Sequence, residues 1–216
     1  MERSIEAVIF DADGTVLDTR EMIYQAYNQV FGEHGYEMPS AAALIRFGGS
    51  RAEDTYRHFA RDHDPAFLYS KHRAFQESNL DLFTAYEGFD ALMAVLKKEG
   101  LKIGICTNRA SNVVTLLEHL DIKHHFDEIM HADLVERFKP DPEGLLKICG
   151  QLGVAPSAAV MVGDTDADIG AGKAAGVAFT IGVTHGAGSR DMLVEAGADH
   201  IVDHLNDITP LLVPAI

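Results

Sequence analysis

A short apolar run that ends in two closely spaced carboxylates constrains this chain more than any other feature. Residues Ala7–Phe10 are all apolar, and Asp11-Ala12-Asp13-Gly14-Thr15 follows at once. An apolar run of this length, closed by polar residues, is typical of a buried strand in a parallel sheet. In α/β sheets, ligands bind outside the carboxyl ends of the strands. The sequence therefore predicts a binding site directly after the first strand.

The two carboxylates of this stretch predict that the site needs a metal ion. Side chains alternate along a strand, so Asp11 and Asp13 point the same way if the strand geometry continues to Asp13. Two carboxylates a few ångströms apart repel each other and stay ionised only when a cation lies between them. Gly14 permits a backbone turn that other residues resist.

The remainder of the chain alternates between apolar runs and segments of helical spacing. Alternation of this kind predicts an α/β fold, a doubly wound parallel sheet with right-handed crossovers. Further strands are predicted at residues 101–106, 128–130, 158–162, 177–183 and 200–202.

One long segment departs from this alternation. From about Leu17 to Ala85 the pattern predicts helices and no convincing strand, with apolar residues from Met22 to Phe31 at helical spacing. The chain is therefore predicted to consist of a core, residues 1–15 and 86–216, interrupted by an all-helical cap of residues 16–85.

The composition excludes several classes of partner. The 216-residue chain carries a net charge of −15, which argues against nonspecific nucleic-acid binding and against docking on anionic membranes. No apolar run approaches the length needed to span a bilayer, and no signal-peptide region precedes the first strand. Its 2 cysteines make no disulfide framework. We expect a cytoplasmic protein, and the sequence leaves its oligomeric state open.

Polar side chains follow or flank four of the predicted strands. On a parallel sheet the strand ends share one edge, so these clusters can converge, and Asp164 and Asp168 share a face if a helix begins at Asp164. Carboxylates, a hydroxyl, an amide and a lysine suit Mg²⁺ with a substrate phosphate, the inventory that phosphoryl transfer needs. The clusters are Asp11 with Asp13, Thr107 with Asn108, Lys139, and Asp164 with Asp168.

With these motifs in order, the chain resembles phosphatases of the haloacid dehalogenase superfamily that carry a helical cap after the first strand. It is most similar to the phosphoglycolate-phosphatase-like branch. The pattern Asp-x-Asp-Gly-Thr, Thr-Asn, Lys-Pro and Gly-Asp-x-x-x-Asp is present in full, at residues 11–15, 107–108, 139–140 and 163–168. The resemblance covers nearly the whole chain and implies a Rossmann-like core.

The resemblance also implies a role for each residue. Asp11 would attack phosphorus and form an aspartyl-phosphate, while Asp13 would protonate the leaving oxygen and then activate water. Lys139 would offset charge on the nucleophile and the phosphate. Asp11, Asp164 and the backbone carbonyl of Asp13 would bind Mg²⁺, and Asp168 would hold a metal-bound water or support Lys139. Thr107 and the Asn108 backbone would bind phosphoryl oxygens, and Gly14 would leave room for the phosphate.

A glycine pair in the predicted cap, Gly48-Gly49, stands beside Arg51 in an otherwise acidic chain. We interpret this stretch as a specificity loop that meets a small anionic phosphorylated metabolite, with Gly49 and Arg51 as substrate-binding residues. An ordinary solvated surface is the competing interpretation.

Several other functions remain open beside hydrolysis of a phosphomonoester, for which phosphoglycolate is the leading substrate candidate. A sugar-phosphate mutase, a pyrophosphatase or a phosphonate hydrolase would keep the same superfamily, although a phosphonate hydrolase needs a cap lysine and Lys71 is the only one. A dehalogenase would not need Asp164. A phospho-aspartate signalling receiver would be about half this length. A binding protein without activity would normally have lost a motif residue.

Overall fold

A computed structural model describes residues 5–45 and 52–213. Its strands are β1 (Ala7–Phe10), β2 (Leu17–Asp18), β3 (Thr84–Ala85), β4 (Lys102–Cys106), β5 (Glu128–Met130), β6 (Ala159–Gly163), β7 (Phe179–Val183) and β8 (His200–Val202). Its α-helices are α1 (Arg20–Glu33), α2 (Ala41–Ile45), α3 (Ala52–Phe59), α4 (Pro65–Ser78), α5 (Phe89–Lys98), α6 (Asn112–His119), α7 (Glu143–Leu152), α8 (Asp166–Ala175), α9 (Arg190–Ala196) and α10 (Thr209–Leu212).

Six of the strands form one parallel sheet in the order β5-β4-β1-β6-β7-β8. This confirms the predicted α/β fold with a doubly wound parallel sheet. The chain leaves β1 toward β4 and β5, then returns to β6 and continues to β7 and β8 on the other side. The strand order therefore reverses between β1 and β6, which is where such sheets open a crevice for a ligand.

Helices cover both faces of this sheet, so its inner strands are apolar throughout. Val8 and Phe10 of β1 belong to one cluster of fully buried side chains, which includes residues of α5 and α6. Ala7 and Ile9 belong to the opposite cluster, which includes residues of α7 and α8. A strand buried on both faces explains why β1 reads as a continuous apolar run rather than an alternating one.

Helices α1, α3 and α4 pack around an aromatic cluster of their own. Tyr27 and Phe31 of α1 contact Tyr56 of α3, with ring centroids 5.4 and 5.2 Å apart. Leu68 of α4 closes the cluster. The division of the chain at residues 15/16 and 85/86 stays a prediction. The aromatic cluster is separate from the two clusters that flank the sheet, whereas Met22 and Ala26 of α1 pack into one of those two. None of the helices in the described ranges combines the length and the apolarity that a membrane crossing requires.

The expectation that residues 17–85 contain no strand is wrong at both ends of that segment. Leu17 pairs with Ala85 and Asp18 with Thr84 in a two-stranded antiparallel ladder, β2 with β3. Two-residue strands show no periodicity, and these two lie far apart in sequence, so a local pattern does not reveal them. The ladder joins the segment that leaves the first motif to the segment that leads into α5.

Candidate active site

The first motif folds into a tight turn at the carboxyl end of β1. The Asp11 amide donates to the Val162 carbonyl at 2.8 Å, which extends the pairing of β1 with β6 by one residue. Gly14 has a φ of +78°, and a Cβ at this position would overlap the Asp164 carboxylate. The glycine therefore serves both the turn and the close approach of the Asp164 side chain.

Lys139 occupies the centre of the candidate site. Its ammonium donates to Asp11 Oδ1 and Asp168 Oδ1, both at 2.6 Å, and to the Cys106 carbonyl at 2.7 Å. The lysine side chain is only 4% exposed. Although burial alone would lower the pKa of Lys139, the two carboxylates raise it, so the ammonium stays charged.

The loop after β4 holds the Lys139 backbone in place. Asn108 Nδ2 donates to the Lys139 carbonyl at 3.0 Å, and the Lys139 amide donates to Asn108 Oδ1 at 2.9 Å. The buried Thr107 hydroxyl accepts from the Arg109 amide at 3.1 Å. The Asn108 side chain thus has a positioning function that the sequence did not suggest, in addition to the predicted role of its backbone in binding phosphate.

Asp164 and Asp168 follow β6, but not on one helix face as expected. Helix α8 begins at Asp166, so Asp164 precedes the helix and Asp168 lies in its first turn. Asp168 Oδ2 accepts from the Thr165 amide at 3.0 Å and from the Thr165 hydroxyl at 2.7 Å, which caps the helix. Since its other oxygen accepts from Lys139, Asp168 links the helix start to the lysine.

The carboxylates of Asp11, Asp164 and Asp168 form a buried cluster whose ligand oxygens all lie within 4.8 Å of one another. The Asp13 side chain lies outside this cluster, which leaves its backbone carbonyl as its predicted metal ligand. Burial and, to a smaller extent, the nearby Asp168 charge raise the pKa of Asp164. Burial also raises the pKa of Asp11 to about 7, although the Lys139 charge acts to lower it. The Lys139 ammonium pairs with Asp11 and Asp168, and in the described ranges Asp164 forms no ion pair.

This cluster fits a hard divalent cation. Asp164 is 1% exposed and accepts only neutral donors among the described residues, Thr15 Oγ1 at 3.2 Å and the Ala187 amide at 2.7 Å. A buried carboxylate without a cation favours its protonated form, whereas Mg²⁺ would keep it ionised. Oxygen ligands with access to open space are what Mg²⁺ prefers, because it keeps several waters and a substrate phosphate.

The loop after β7 also shapes the site, which the sequence did not indicate. A Cβ at Gly186 would overlap the Asp164 carboxylate, and a Cβ at Gly188 would overlap the Asp164 backbone carbonyl, so the loop packs directly on this residue. His185 Nε2 lies 3.0 Å from the Thr15 carbonyl, and the Tyr86 hydroxyl donates to the His185 carbonyl at 3.2 Å. These contacts tie the loop to the first motif.

Arg109 is the largest feature of the site that sequence reasoning missed. Its guanidinium forms an ion pair with Asp13 at 2.6 Å and is almost fully buried. The only available signal was its position, directly after Thr107 and Asn108 at a strand end in an acidic chain.

Cys106 at the end of β4 is a core residue, and burial raises the pKa of its thiol to about 12.

The site opens into a cavity of about 500 Å³ between the sheet edge and the helices α1 and α4. Asp11, Asp13 and Lys139 line its floor. The opposite walls are formed by side chains of the inserted helices, among them Tyr24, Tyr27, Tyr69, His72 and Gln76. Gly49 and Arg51, predicted to bind substrate, lie outside the described residues. Lys71 is exposed and packs over the Phe67 ring, away from the residues that line the cavity.

Comparison with known proteins gives consistent results in sequence and structure. The haloacid dehalogenase-like hydrolase family matches residues 8–182, a range that includes Asp11, Thr107, Lys139 and Asp164. Pyrophosphatase PpaX of Bacillus cereus (strain AH820) is 30% identical over 209 residues, which cover 96% of each chain. The crystal structure of "a predicted phosphoglycolate phosphatase" from Haemophilus somnus 129pt has a TM-score of 0.87 at 20% identity and covers 97% of this chain and 98% of its own, which shows a shared fold. The structure of "beta-Phosphoglucomutase" from Clostridium difficile has a TM-score of 0.82 at 25% identity, and the match covers 94% of this chain and 93% of the chain in that structure.

Proposed function

Because the chain belongs to the haloacid dehalogenase-like hydrolase family, we propose that it hydrolyses a small phosphomonoester through an aspartyl-phosphate on Asp11, with Mg²⁺ as cofactor. The chain is a phosphatase, and its substrate is a small phosphorylated molecule. The observation that carries the proposal is the contact between Lys139, Asp11 and Asp168 beside Asp164, at the edge where the strand order reverses.

Asp11 is the proposed nucleophile. One of its carboxylate oxygens forms the new bond to phosphorus while the bond between phosphorus and the leaving oxygen breaks. Lys139, already 2.6 Å from Asp11, offsets negative charge on the nucleophile and on the phosphoryl group. The Thr107 hydroxyl and the Asn108 backbone amide bind phosphoryl oxygens, and Gly14 leaves room for them.

Asp13 is the proposed acid and base. It gives a proton to the leaving oxygen in the first step, so the alcohol departs neutral. In the second step it takes a proton from water, whose oxygen attacks the phosphorus of the aspartyl-phosphate. The bond between phosphorus and Asp11 then breaks, inorganic phosphate leaves and Asp11 is regenerated.

The proposed ligands for Mg²⁺ are the carboxylates of Asp11 and Asp164 with the backbone carbonyl of Asp13. When bound, Mg²⁺ would supply positive charge that offsets the negative charge of the phosphoryl group. Asp168 supports Lys139, because both of its carboxylate oxygens accept hydrogen bonds from the protein. The excess of negative charge in the cluster, where three buried carboxylates lie beside the single ammonium of Lys139, supports this assignment.

Phosphoglycolate remains our leading substrate, and pyrophosphate is the second candidate. The first follows from the branch that the motifs resemble. The second is favoured by the name of the Bacillus cereus relative, pyrophosphatase PpaX, which is similar over nearly its whole length. A phosphonate hydrolase is less well supported, because Lys71 is exposed and does not line the cavity.

The test is release of inorganic phosphate from a panel of phosphate esters, phosphoglycolate and pyrophosphate, with and without Mg²⁺. We expect Mg²⁺-dependent turnover and its loss in Asp11→Asn, with an unchanged circular dichroism spectrum. Asp166→Asn is the matched control, because Asp166 is an exposed carboxylate close in sequence to Asp164 and Asp168. If no ester is hydrolysed, or if Asp11→Asn keeps the wild-type rate, the proposal is wrong.

A further inference from the structure

Arg109 holds the proposed acid, Asp13, by two parallel hydrogen bonds. Arg109 Nη2 donates to Asp13 Oδ1 at 2.6 Å, and Arg109 Nε donates to Asp13 Oδ2 at 2.7 Å. Paired bonds of this kind between a guanidinium and a carboxylate are short, strong and directional. The Arg109 side chain is 6% exposed and that of Asp13 is 26% exposed. Asp13 therefore has both oxygens engaged by one buried cation.

The same guanidinium reaches the helix on the other side of the cavity. Arg109 Nη1 donates to Gln76 Oε1 of α4 at 3.0 Å, and Asn112 Nδ2 donates to the same oxygen at 2.9 Å. The guanidinium carbon also lies 5.5 Å from the centre of the Phe83 ring. Each nitrogen of the guanidinium has a partner, so its position between the sheet edge and α4 is fixed.

This arrangement conflicts with the work proposed for Asp13. A general acid must bring one of its oxygens within hydrogen-bond reach of the leaving oxygen, whereas both oxygens of Asp13 accept hydrogen bonds from Arg109. If Asp13 turned away toward the leaving oxygen, Arg109 would be a buried charge without a counter-ion, which is strongly unfavourable. Burial alone would lower the pKa of Arg109, but Asp13 raises it, so the guanidinium does not lose its proton.

The carboxylates that line the described cavity are not free to replace Asp13. Asp11 accepts from Lys139, Asp164 accepts from Thr15 and Ala187, and Glu21 accepts from Gln25. The cavity itself, however, brings Arg109, Asp13 and Asp11 to one surface. An anion that enters beside the reacting phosphoryl group is thus well placed to pair with Arg109.

We propose that Arg109 binds a second anionic group of the substrate. This group replaces Asp13 as the partner of Arg109, which releases Asp13 to act as the acid. The inference rests on the proposed function and narrows its substrate class to phosphate compounds whose leaving group carries a carboxylate or a phosphate. Arg109 determines specificity and positions Asp13. An ester whose leaving group carries no charge leaves Asp13 paired with Arg109 and is turned over slowly.

The experiment compares kcat/KM for three substrates with Mg²⁺. Phosphoglycolate carries a carboxylate, and pyrophosphate carries a second phosphate. 2-Hydroxyethyl phosphate is the counterpart of phosphoglycolate whose leaving group carries no charge. Hydrogen bonds to charged groups correspond to about 10- to 100-fold in such ratios. We expect the wild type to prefer at least one anionic substrate over 2-hydroxyethyl phosphate by that factor. The preferred one identifies the second anion as a carboxylate or a phosphate.

Substitution of Arg109 separates this role from a merely structural one. In Arg109→Gln we expect kcat/KM for the anionic substrates to fall to the level of 2-hydroxyethyl phosphate, so that the preference disappears. Arg109→Lys keeps the charge but not the paired bonds, so part of the preference should return. A structural role would instead lower kcat for all three substrates alike. Arg73→Gln is the control, since Arg73 lies on α4 and pairs with Glu77 rather than with the site.

Two results would overturn the inference and leave the proposed function intact. The first is a wild-type enzyme that hydrolyses 2-hydroxyethyl phosphate as efficiently as both anionic substrates, a measurement that needs no variant. The second is an anion preference that survives in Arg109→Gln. If the wild type releases no phosphate from these three compounds or from p-nitrophenyl phosphate, the proposed function fails and the inference falls with it.

Discussion

Replacing Lys139 by methionine should destabilise the metal-free protein by an amount that depends strongly on pH. The ammonium pairs with Asp11 and Asp168 at 2.6 Å, and all three side chains are buried. Removing one partner of a buried ion pair costs about 3–5 kcal/mol, because the other charge is left uncompensated. Methionine fills a similar volume, so we expect the loss at pH 8 to come from the two carboxylates rather than from a cavity.

The pH dependence follows from the pKa of Asp11. Burial already raises this pKa from 3.8 to about 7, and loss of Lys139 removes the neighbour that lowers it. A carboxyl group with a raised pKa in the folded state stabilises the protein most at low pH and loses that contribution as the pH rises. Each pH unit below the folded pKa recovers about 1.4 kcal/mol. The wild type already loses about 1.4 kcal/mol between pH 6 and pH 8, because its Asp11 pKa of about 7 lies inside that range, and a variant with a higher pKa loses about twice as much. The cost of Lys139→Met should therefore be smaller by about 1.4 kcal/mol at pH 6 than at pH 8.

Urea unfolding in the presence of a chelator, followed by circular dichroism at both pH values, measures these differences. Lys123→Met is the matched control, because Lys123 and Glu118 form an exposed ion pair at 2.6 Å. Such a pair contributes less than about 1 kcal/mol. A loss below about 1 kcal/mol at pH 8 for Lys139→Met, or an equal loss at both pH values, would refute the assignment of Lys139 as the counter-charge of Asp11.

Three further predictions concern the metal site and the inserted helices. Mg²⁺ should raise the melting temperature in scanning fluorimetry more at pH 8 than at pH 6. Burial raises the pKa values of Asp11 and Asp164, so protons compete with Mg²⁺ for these carboxylates at the lower pH. A larger shift in melting temperature at pH 6 would contradict this prediction. Gly186→Ala should raise the Mg²⁺ concentration needed for half-maximal phosphate release by about 10- to 100-fold, because its Cβ would overlap Asp164 and the Gly14 carbonyl, whereas Gly150→Ala, where a Cβ meets nothing, should not. Burial lowers the pKa of His72 from 6.5 to about 3, so the contribution of His72 to stability is present above pH 6.5 and is lost as the pH falls toward 3. In His72→Gln the urea midpoint should therefore fall less between pH 6 and pH 4 than in the wild type. An equal fall in the two proteins would contradict this prediction.

Most of the sheet could be predicted because its strands are short apolar runs between polar or glycine-rich segments. Strands β1, β5 and β8 have the predicted bounds. Helix α7 ends at Leu152, and Gly153 follows it in the left-handed conformation, which is the stop signal that sequence reasoning uses. Strands β2 and β3 were missed because their pairing links distant residues and has no local period.

The candidate site was predictable to the extent that its residues follow strands. Asp11, Thr107, Lys139 and Asp164 converge because parallel strands end at one edge. Arg109 was missed because its partners, Asp13 and Gln76, are 96 and 33 residues away in sequence. Contacts of this kind depend on how α4 packs over the sheet edge, and no short-range pattern records that packing.

The ladder of β2 and β3 makes the helical insertion exchangeable. Leu17 faces Ala85, and the Tyr86 amide donates to the Val16 carbonyl at 3.1 Å, so the outgoing and returning chains are fastened together beside Asp13. An insert whose two ends already meet can be swapped for another folded unit with little effect on its host. A different folded unit grafted onto these two rungs should therefore change which molecules reach the cavity, while Asp11, Lys139 and Asp164, whose hydrogen-bond partners described above lie outside the insertion, keep their positions.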